Sequence, residues 1–318
     1  MKKGFRGLLT VSLLMAALAA LGIYALVVSV DLRQTRKELG EKSKMLEHSH
    51  KKIEDLYSWQ SRAIELENEV NALEKRITPG RKNPVVILCY LRIIPEAKTI
   101  YDVSVSDFEA QMKYLADNKY NFVSLRDVLR HMDSQTSFPL KAVALTFDDG
   151  DGSAYTYTYP ILKKYVLPAT FFVYSDCIEL EVRGMKWYQM RQMMADGYDV
   201  ECHSKMHSNM AKKYPGETDD AYMKRLDTEL KDSKRILEEH LKREMRYFAY
   251  PYGSFNSFVE RKAIEAGYES MFTISGGLNY INDNRYRLGR KTILGTFSMK
   301  EFVSIIAPAD FKKQAGAR

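Results

Sequence analysis

The sequence predicts an α/β fold, a distorted (β/α) barrel over residues 84–310, preceded by a transmembrane helix and a coiled-coil stalk. Three observations predict it. Residues 8–30 hold no charge. Residues 31–78 are rich in Glu, Lys, Leu and Arg, with no proline and only Gly40 as glycine. From residue 84, short apolar runs alternate with amphipathic stretches, the pattern of parallel strands joined by helices.

The first segment, LLTVSLLMAALAALGIYALVVSV, spans ~35 Å as a helix at ~1.5 Å per residue, enough to cross a bilayer core. The run Ala17 to Ala20 resembles a signal-peptide cleavage site, but a signal core is ~7–15 residues and this one continues for ten more. An uncleaved anchor over residues 1–30 is the favoured reading. Lys2, Lys3 and Arg6 place the N-terminus in the cytoplasm by the positive-inside rule and the rest of the chain in the periplasm or outside the cell. Arg33, Arg36 and Lys37 on the far side oppose that orientation in part.

In the stalk, Leu32, Leu39, Leu46 and Ile53 recur every seven residues, with Leu56 at the next inward position. A second run, Ala63, Leu66, Val70, Leu73 and Ile77, alternates steps of three and four. The two frames miss by one residue, which reads as a coiled coil with a local discontinuity. Thr35, Lys42 and Ser49 at inward positions weaken its first half. Such a stalk makes a homodimer; the bland alternative is one charged helix acting as a spacer. Thr78-Pro79-Gly80 ends the helix, and residues 78–83 form a linker.

Val85–Tyr90, Lys141–Phe147 and Ala169–Tyr174 read as buried strands because they are continuous apolar runs. Further strands are expected near 121–125, 198–202, 247–250, 271–274 and 291–294. Helices are expected at 105–118, 126–132, 153–165, 186–196, 218–241, 256–266 and 299–306, the first opened by a Ser106–Glu109 capping box. A barrel of such units carries its site at the C-terminal ends of the strands. The net charge is +7, but residues 84–318 hold 33 basic against 31 acidic side chains. No basic stripe points to nucleic acid. Cys89, Cys177 and Cys202 show neither metal spacing nor an even count and read as small buried residues.

Chemistry concentrates at three strand ends. In Thr146-Phe147-Asp148-Asp149-Gly150, a buried strand runs out into two carboxylates. Where the strand breaks at Gly150 both can reach one mouth, one to hold a cation and the other free as a base. Asp-Asp-Gly is equally ordinary turn chemistry. In His203-Ser204-Lys205-Met206-His207, the imidazoles would lie roughly 13 Å apart on an extended strand but approach within chelating distance in one turn. Phe248-Ala249-Tyr250-Pro251-Tyr252-Gly253 ends a strand in a proline-fixed turn and by itself is only that. Asp149, His203 and His207 supply the two nitrogens and one oxygen of an open catalytic metal site, which suits hydrolysis of an amide or ester. Asp148 beside them can take a proton.

TFDDG, a later H-S-x-x-H spacing and a P-Y-G turn, in this order, resemble the polysaccharide deacetylases of the NodB-homology type, over roughly residues 84–308. FEAQMKYLADNKYNFVSL (108–125), LPATFFV (167–173) and FAYPYG (248–253) resemble the biofilm branch that de-N-acetylates poly-β-1,6-N-acetylglucosamine. The resemblance implies a distorted barrel of seven or so strands, with Asp148 as general base. It implies a divalent metal on Asp149, His203 and His207, zinc first, with cobalt or nickel as substitutes. The Tyr252 backbone N–H would hold the oxyanion, and Tyr250 and Pro251 would line the substrate site. The implied partner is an N-acetylated polysaccharide outside the cytoplasm.

Two departures stand out. Many members carry an arginine two residues before the P-Y-G proline; here it is Ala249, and Arg290 in RLGRKTI is the replacement to look for. Members also supply a histidine as general acid. In the biofilm branch it follows a tyrosine ending the first strand, where this chain has Tyr90-Leu91, and no histidine follows His240. General acid catalysis is typically worth ~10²–10⁴-fold. Against a working N-deacetylase therefore stands a weak or inactive glycan-binding or scaffolding protein that keeps the metal site. A third reading is an envelope protein acting through its stalk. Retention of Asp148, Asp149, His203 and His207 favours the enzyme.

Overall fold

The computed structural model describes residues 83–306 except 181–182, together with scattered residues between 29 and 51. Of the expected membrane segment 8–30 only Ser29 is described, and residues 52–78 of the stalk and 79–82 of the linker lie outside the described residues. Those described between 36 and 51 are helical, with Leu39 and Met45 exposed. Among the described residues no helix is long and apolar enough to cross a membrane. The chain divides into two compact units at Pro79–Gly80, within the proline–glycine break.

The second unit is an α/β barrel. Its strands are β1 (Val85–Tyr90), β2 (Arg92–Ile94), β3 (Asp102–Ser104), β4 (Asn121–Phe122), β5 (Ala142–Phe147), β6 (Thr170–Val173), β7 (Asp199–Cys202), β8 (Tyr247–Ala249), β9 (Ser270–Thr273), β10 (Leu278–Asn279), β11 (Leu288–Gly289) and β12 (Lys291–Thr292). The main sheet runs β1-β5-β6-β7-β8-β9-β11, every neighbouring pair parallel. β12 then pairs in parallel with β1. The segment 288–292 therefore bonds to β9 with one end and to β1 with the other, and the sheet closes on itself through it. β10 pairs antiparallel with β1, and β2 with β3 forms a separate two-stranded sheet.

The buried runs explain the strands. Every residue of β1 and of β5 is buried, as the continuous apolar runs require. Phe147, Phe171, Tyr90 and Phe108 pack ring on ring between the sheet and the first helix. The helices are α1 (Val105–Asp117), α2 (Leu125–Asp133), α3 (Tyr159–Tyr165), α4 (Trp187–Ala195), α5 (Asp219–Asp227), α6 (Ser233–Leu241), α7 (Ser257–Glu265) and α8 (Met299–Ile306).

Local chemistry shifts some boundaries. α1 is capped by Ser104, which accepts from the Asp107 N–H, and not by the expected Ser106–Glu109 box. The box appears at α2 instead, between Ser124 and Asp127. The expected helix 218–241 is α5 and α6 joined by a π-helical turn, Thr228–Asp232, and a second π turn, Ala154–Thr158, precedes α3. β2, β3, β10 and β11 are too short to leave an apolar run, and sequence periodicity missed them.

One buried acid is held by the backbone. Glu201 on β7 is fully buried, and its Oε2 accepts the N–H groups of Arg246 and Tyr247, tying β7 to the start of β8. Burial pushes its carboxyl up to about 8. Between the ordinary carboxylate range and pH ~8 the native state thus keeps a proton that the unfolded chain has lost, and stability falls as pH rises through that window. Glu201→Gln keeps the acceptor without the charge. Its melting temperature should exceed that of the wild type by a margin that widens from pH 5 to pH 9. A margin independent of pH would show that Glu201 is ionised throughout.

Candidate metal centre

β5 delivers the two carboxylates. The Asp148 N–H donates to the Tyr90 carbonyl at 2.9 Å, so the ladder with β1 runs one residue past β5. Asp149 then turns the chain with φ 73° and Gly150 with φ 71°. A Cβ on Gly150 would lie 2.5 Å from Val173 Cγ1, so only glycine permits this turn. The break in the strand swings both acids to the barrel mouth, as its sequence implied.

β7 delivers the histidines. The His203 N–H continues the ladder to the Val173 carbonyl. Ser204 and His207 take left-handed backbone, φ 78° and 58°, and the Ser204 Oγ accepts the His207 N–H at 3.0 Å. This turn folds the two imidazoles together, with ring centroids 4.9 Å apart. Cys202 points away, donating to Ser233.

The structure brings the expected ligand set together. Asp149 Oδ1 lies 3.3 Å from His207 Nε2 and 3.6 Å from His203 Nε2, and one ligand atom from each residue falls within 4.8 Å of the others. His203 Nδ1 is 2.8 Å from the Ala249 carbonyl. A carbonyl only accepts, so Nδ1 carries the proton and Nε2 presents its lone pair to the cluster. Burial pushes both imidazoles below their usual range, which favours the neutral, ligating form. Burial also pushes the Asp149 carboxyl up, against the pull of His203. A cation among these groups would relieve that cost, and the donor set fits zinc.

Asp148 has a different environment. Arg290, fully buried between β11 and β12, donates from Nη1 to Asp148 Oδ1 at 2.6 Å and from Nη2 to Oδ2 at 2.7 Å. The same guanidinium reaches Thr146 Oγ1 and the Thr273 carbonyl and sits 5.2 Å over the Phe172 ring. Burial alone would raise the Asp148 carboxyl; Arg290 and then His203 outweigh it and hold it below the usual range. The Cys89 thiol, kept protonated by burial, donates to Asp148 Oδ2 at 3.4 Å. Asp148 Oδ2 is 3.8 Å from His203 Nε2, beside the ligand cluster. Arg290, the residue to look for in place of the arginine missing at Ala249, thus reaches Asp148 from the segment that closes the barrel.

The P-Y-G turn contributes one exposed residue. Tyr252 has φ 59° and its ring lies 4.6 Å from that of His207. Gly253 and Ser254 donate back to Tyr250 and Pro251 within the turn. Tyr250 and Pro251 are buried, Tyr250 stacking on Phe255 and donating to the Tyr286 carbonyl. Their expected place in the substrate site is corrected here: they shape the turn, and Tyr252 offers the accessible surface. Leu91 lines a 310 Å³ cleft that also contains Asp149, Tyr101 and Tyr174. A 480 Å³ cleft with Met206, Tyr214 and Tyr252 contains His207. The ligand cluster therefore borders both clefts, through Asp149 and through His207.

Sequence reasoning missed Cys89, Thr146 and Glu229. Cys89 and Thr146 lie in strand runs whose apolar character masked their contacts. Glu229 sits in a charged helical stretch, and no local signal separates it from its solvated neighbours.

The chain is similar in sequence and fold to known deacetylases. Residues 135–271 match the family model for polysaccharide deacetylase. The poly-β-1,6-N-acetyl-D-glucosamine N-deacetylase of Staphylococcus aureus (strain MRSA252) is 29% identical over 197 residues, 60% of this chain and 67% of that protein. The solved structure of IcaB from Ammonifex degensii is 28% identical with a TM-score of 0.62, covering 71% of this chain and 97% of that one. The Streptococcus pyogenes deacetylase PplD, solved in complex with acetate, is 27% identical with a TM-score of 0.63, covering 71% and 100%.

Replacing His203 or His207 with Ala removes one of two nitrogens. Zinc bound per chain, measured by elemental analysis after dialysis, should fall from about one to near zero; full occupancy in either variant would refute this ligand set.

Proposed function

The barrel domain belongs to the polysaccharide deacetylase family, and from that premise we propose that this protein is a metal-dependent hydrolase removing N-acetyl groups from an extracytoplasmic N-acetylglucosamine-type polysaccharide. The observation that carries the reading is the cluster of Asp149, His203 and His207 beside an Asp148 clamped by Arg290. The extracytoplasmic setting rests on the uncharged run 8–30, and dimerisation on the repeat in 31–78.

A divalent metal held by Asp149, His203 and His207 would polarise the acetyl carbonyl and acidify a water. Asp148 takes the proton from the attacking water; its carboxylate is ionised at neutral pH because Arg290 holds it so. The Tyr252 N–H, in a left-handed turn whose ring lies against His207, is the donor this reading assigns to the oxyanion. The carbon–nitrogen bond then breaks, and the nitrogen must receive a proton to leave as an amine. Leu91 cannot supply it. Asp148 can, by returning the proton it took. A carboxyl that Arg290 holds low is a weak base but a strong acid once protonated, which suits the second step better than the first. The products are acetate and a glucosamine unit, and the freed amines make the polymer cationic.

A second reading is favoured by one observation. Leu91 lines the cleft at Asp149, where an acid is needed. A protein with this defect could bind N-acetylated glycan through its retained metal and turn it over poorly.

Two substitutions separate the readings. Asp148→Asn should keep zinc and lose ~10²-fold or more of the acetate released from N-acetylglucosamine oligomers; unchanged release would remove Asp148 as base. Leu91→His should raise the rate severalfold if the acid is limiting, and an unaltered rate would show that proton delivery does not limit this enzyme.

A further inference from the structure

We infer that Glu229 is a positioning residue for the metal centre: it fixes the turn that brings His207 to the other two ligands. The inference rests on the metal-centre reading above and concerns a residue outside the three motifs.

Glu229 is fully buried in the π-helical turn Thr228–Asp232, between α5 and α6. Its neighbour Leu230 is buried as well. A π turn carries an extra residue per turn and widens the face a helix presents, and such turns recur at functional sites. Here the widened face puts a carboxylate under the His203–His207 turn. Glu229 Oε2 accepts the Lys205 N–H at 2.9 Å and the Met206 N–H at 2.9 Å. The next amide, that of His207, donates to Ser204 Oγ. Three consecutive amides of the turn are thus satisfied by side chains, two of them by one oxygen. From the other side, the carbonyls of Ser204 and Lys205 accept the N–H groups of Ser175 and Asp176.

The other oxygen, Oε1, is buried with no hydrogen-bond partner among the described residues. A buried polar atom without a partner is costly to keep. An apolar residue here would avoid that cost but would lose both bonds, to the Lys205 and Met206 amides. What those two bonds maintain is specific. Ser204 and His207 hold left-handed backbone that a free chain seldom adopts, and without it the imidazoles swing apart.

The test uses the full chain and zinc alone, with affinity measured by competition against a chromophoric chelator. Glu229→Ala should weaken zinc binding ~10–100-fold, the range for losing a group that orients a ligand. Glu229→Gln, which keeps an acceptor oxygen on the same arm, should recover most of that loss. The visible spectrum of the cobalt-substituted protein should change in Glu229→Ala and return in Glu229→Gln. If Glu229→Ala does not fold, Glu229→Asp, whose shorter arm withdraws the oxygen from both amides, should show the same loss. Zinc binding equal to wild type in the folded Ala or Asp variant would overturn the inference, as would an undiminished loss in Glu229→Gln. A wild-type chain that binds no zinc would instead overturn the metal-centre reading itself.

Discussion

The bidentate pair between Arg290 and Asp148 is the interaction on which both the fold and the site depend. Arg290 sits at the point where the barrel closes, between the residues that pair with β9 and those that pair with β1. Its own N–H donates to Thr273 on β9, and the Ile293 N–H donates to Cys89 on β1. Its side chain crosses to the end of β5. Closing the sheet and charging the site are therefore one structural event. Burying two charges is expensive, and this pair offsets the cost with two short hydrogen bonds and further contacts to Thr146 and Thr273. Removing one partner would strand a buried charge, which typically costs ~3–5 kcal/mol.

Around that fixed pair the mouth of the barrel is built from turns that ordinary residues avoid. Asp149, Ser204, His207 and Tyr252 all have positive φ, and all four belong to the site. Each such residue costs on the order of 1–3 kcal/mol and persists only where its surroundings impose it. Here the imposing contacts are visible: Gly150 against Val173, the Ser204 hydroxyl on the His207 amide, and Glu229 beneath Lys205 and Met206. The barrel supplies the rigidity, and the turns aim the ligating atoms.

Much of this was legible in the sequence because the signals are local. VVILCY and the TFDDG strand announce buried β1 and β5, and the HSKMH spacing announces a chelating turn. The residues that escaped act across long separations. The salt bridge from Arg290 to Asp148 joins positions 142 residues apart, and nothing near Arg290 in sequence names its partner. Its identification as a candidate came from resemblance, and only the fold shows what it does. Tyr250 and Pro251 misled in the opposite direction: a turn sequence marks where the chain bends, not which of its side chains faces out. The π turn at Thr228–Asp232 was invisible because its residues suit an unbroken helix equally well.

Acetate release tests the role of the metal centre most directly. Wild-type full-length protein, stripped by a chelator and then given back stoichiometric zinc, should release acetate from N-acetylglucosamine oligomers only after reconstitution, slowly for want of an acid at Leu91. Release that is equal in the stripped and reconstituted protein would contradict a role for the Asp149–His203–His207 centre in the chemistry. No release from zinc-loaded protein would leave a glycan-binding protein in its place.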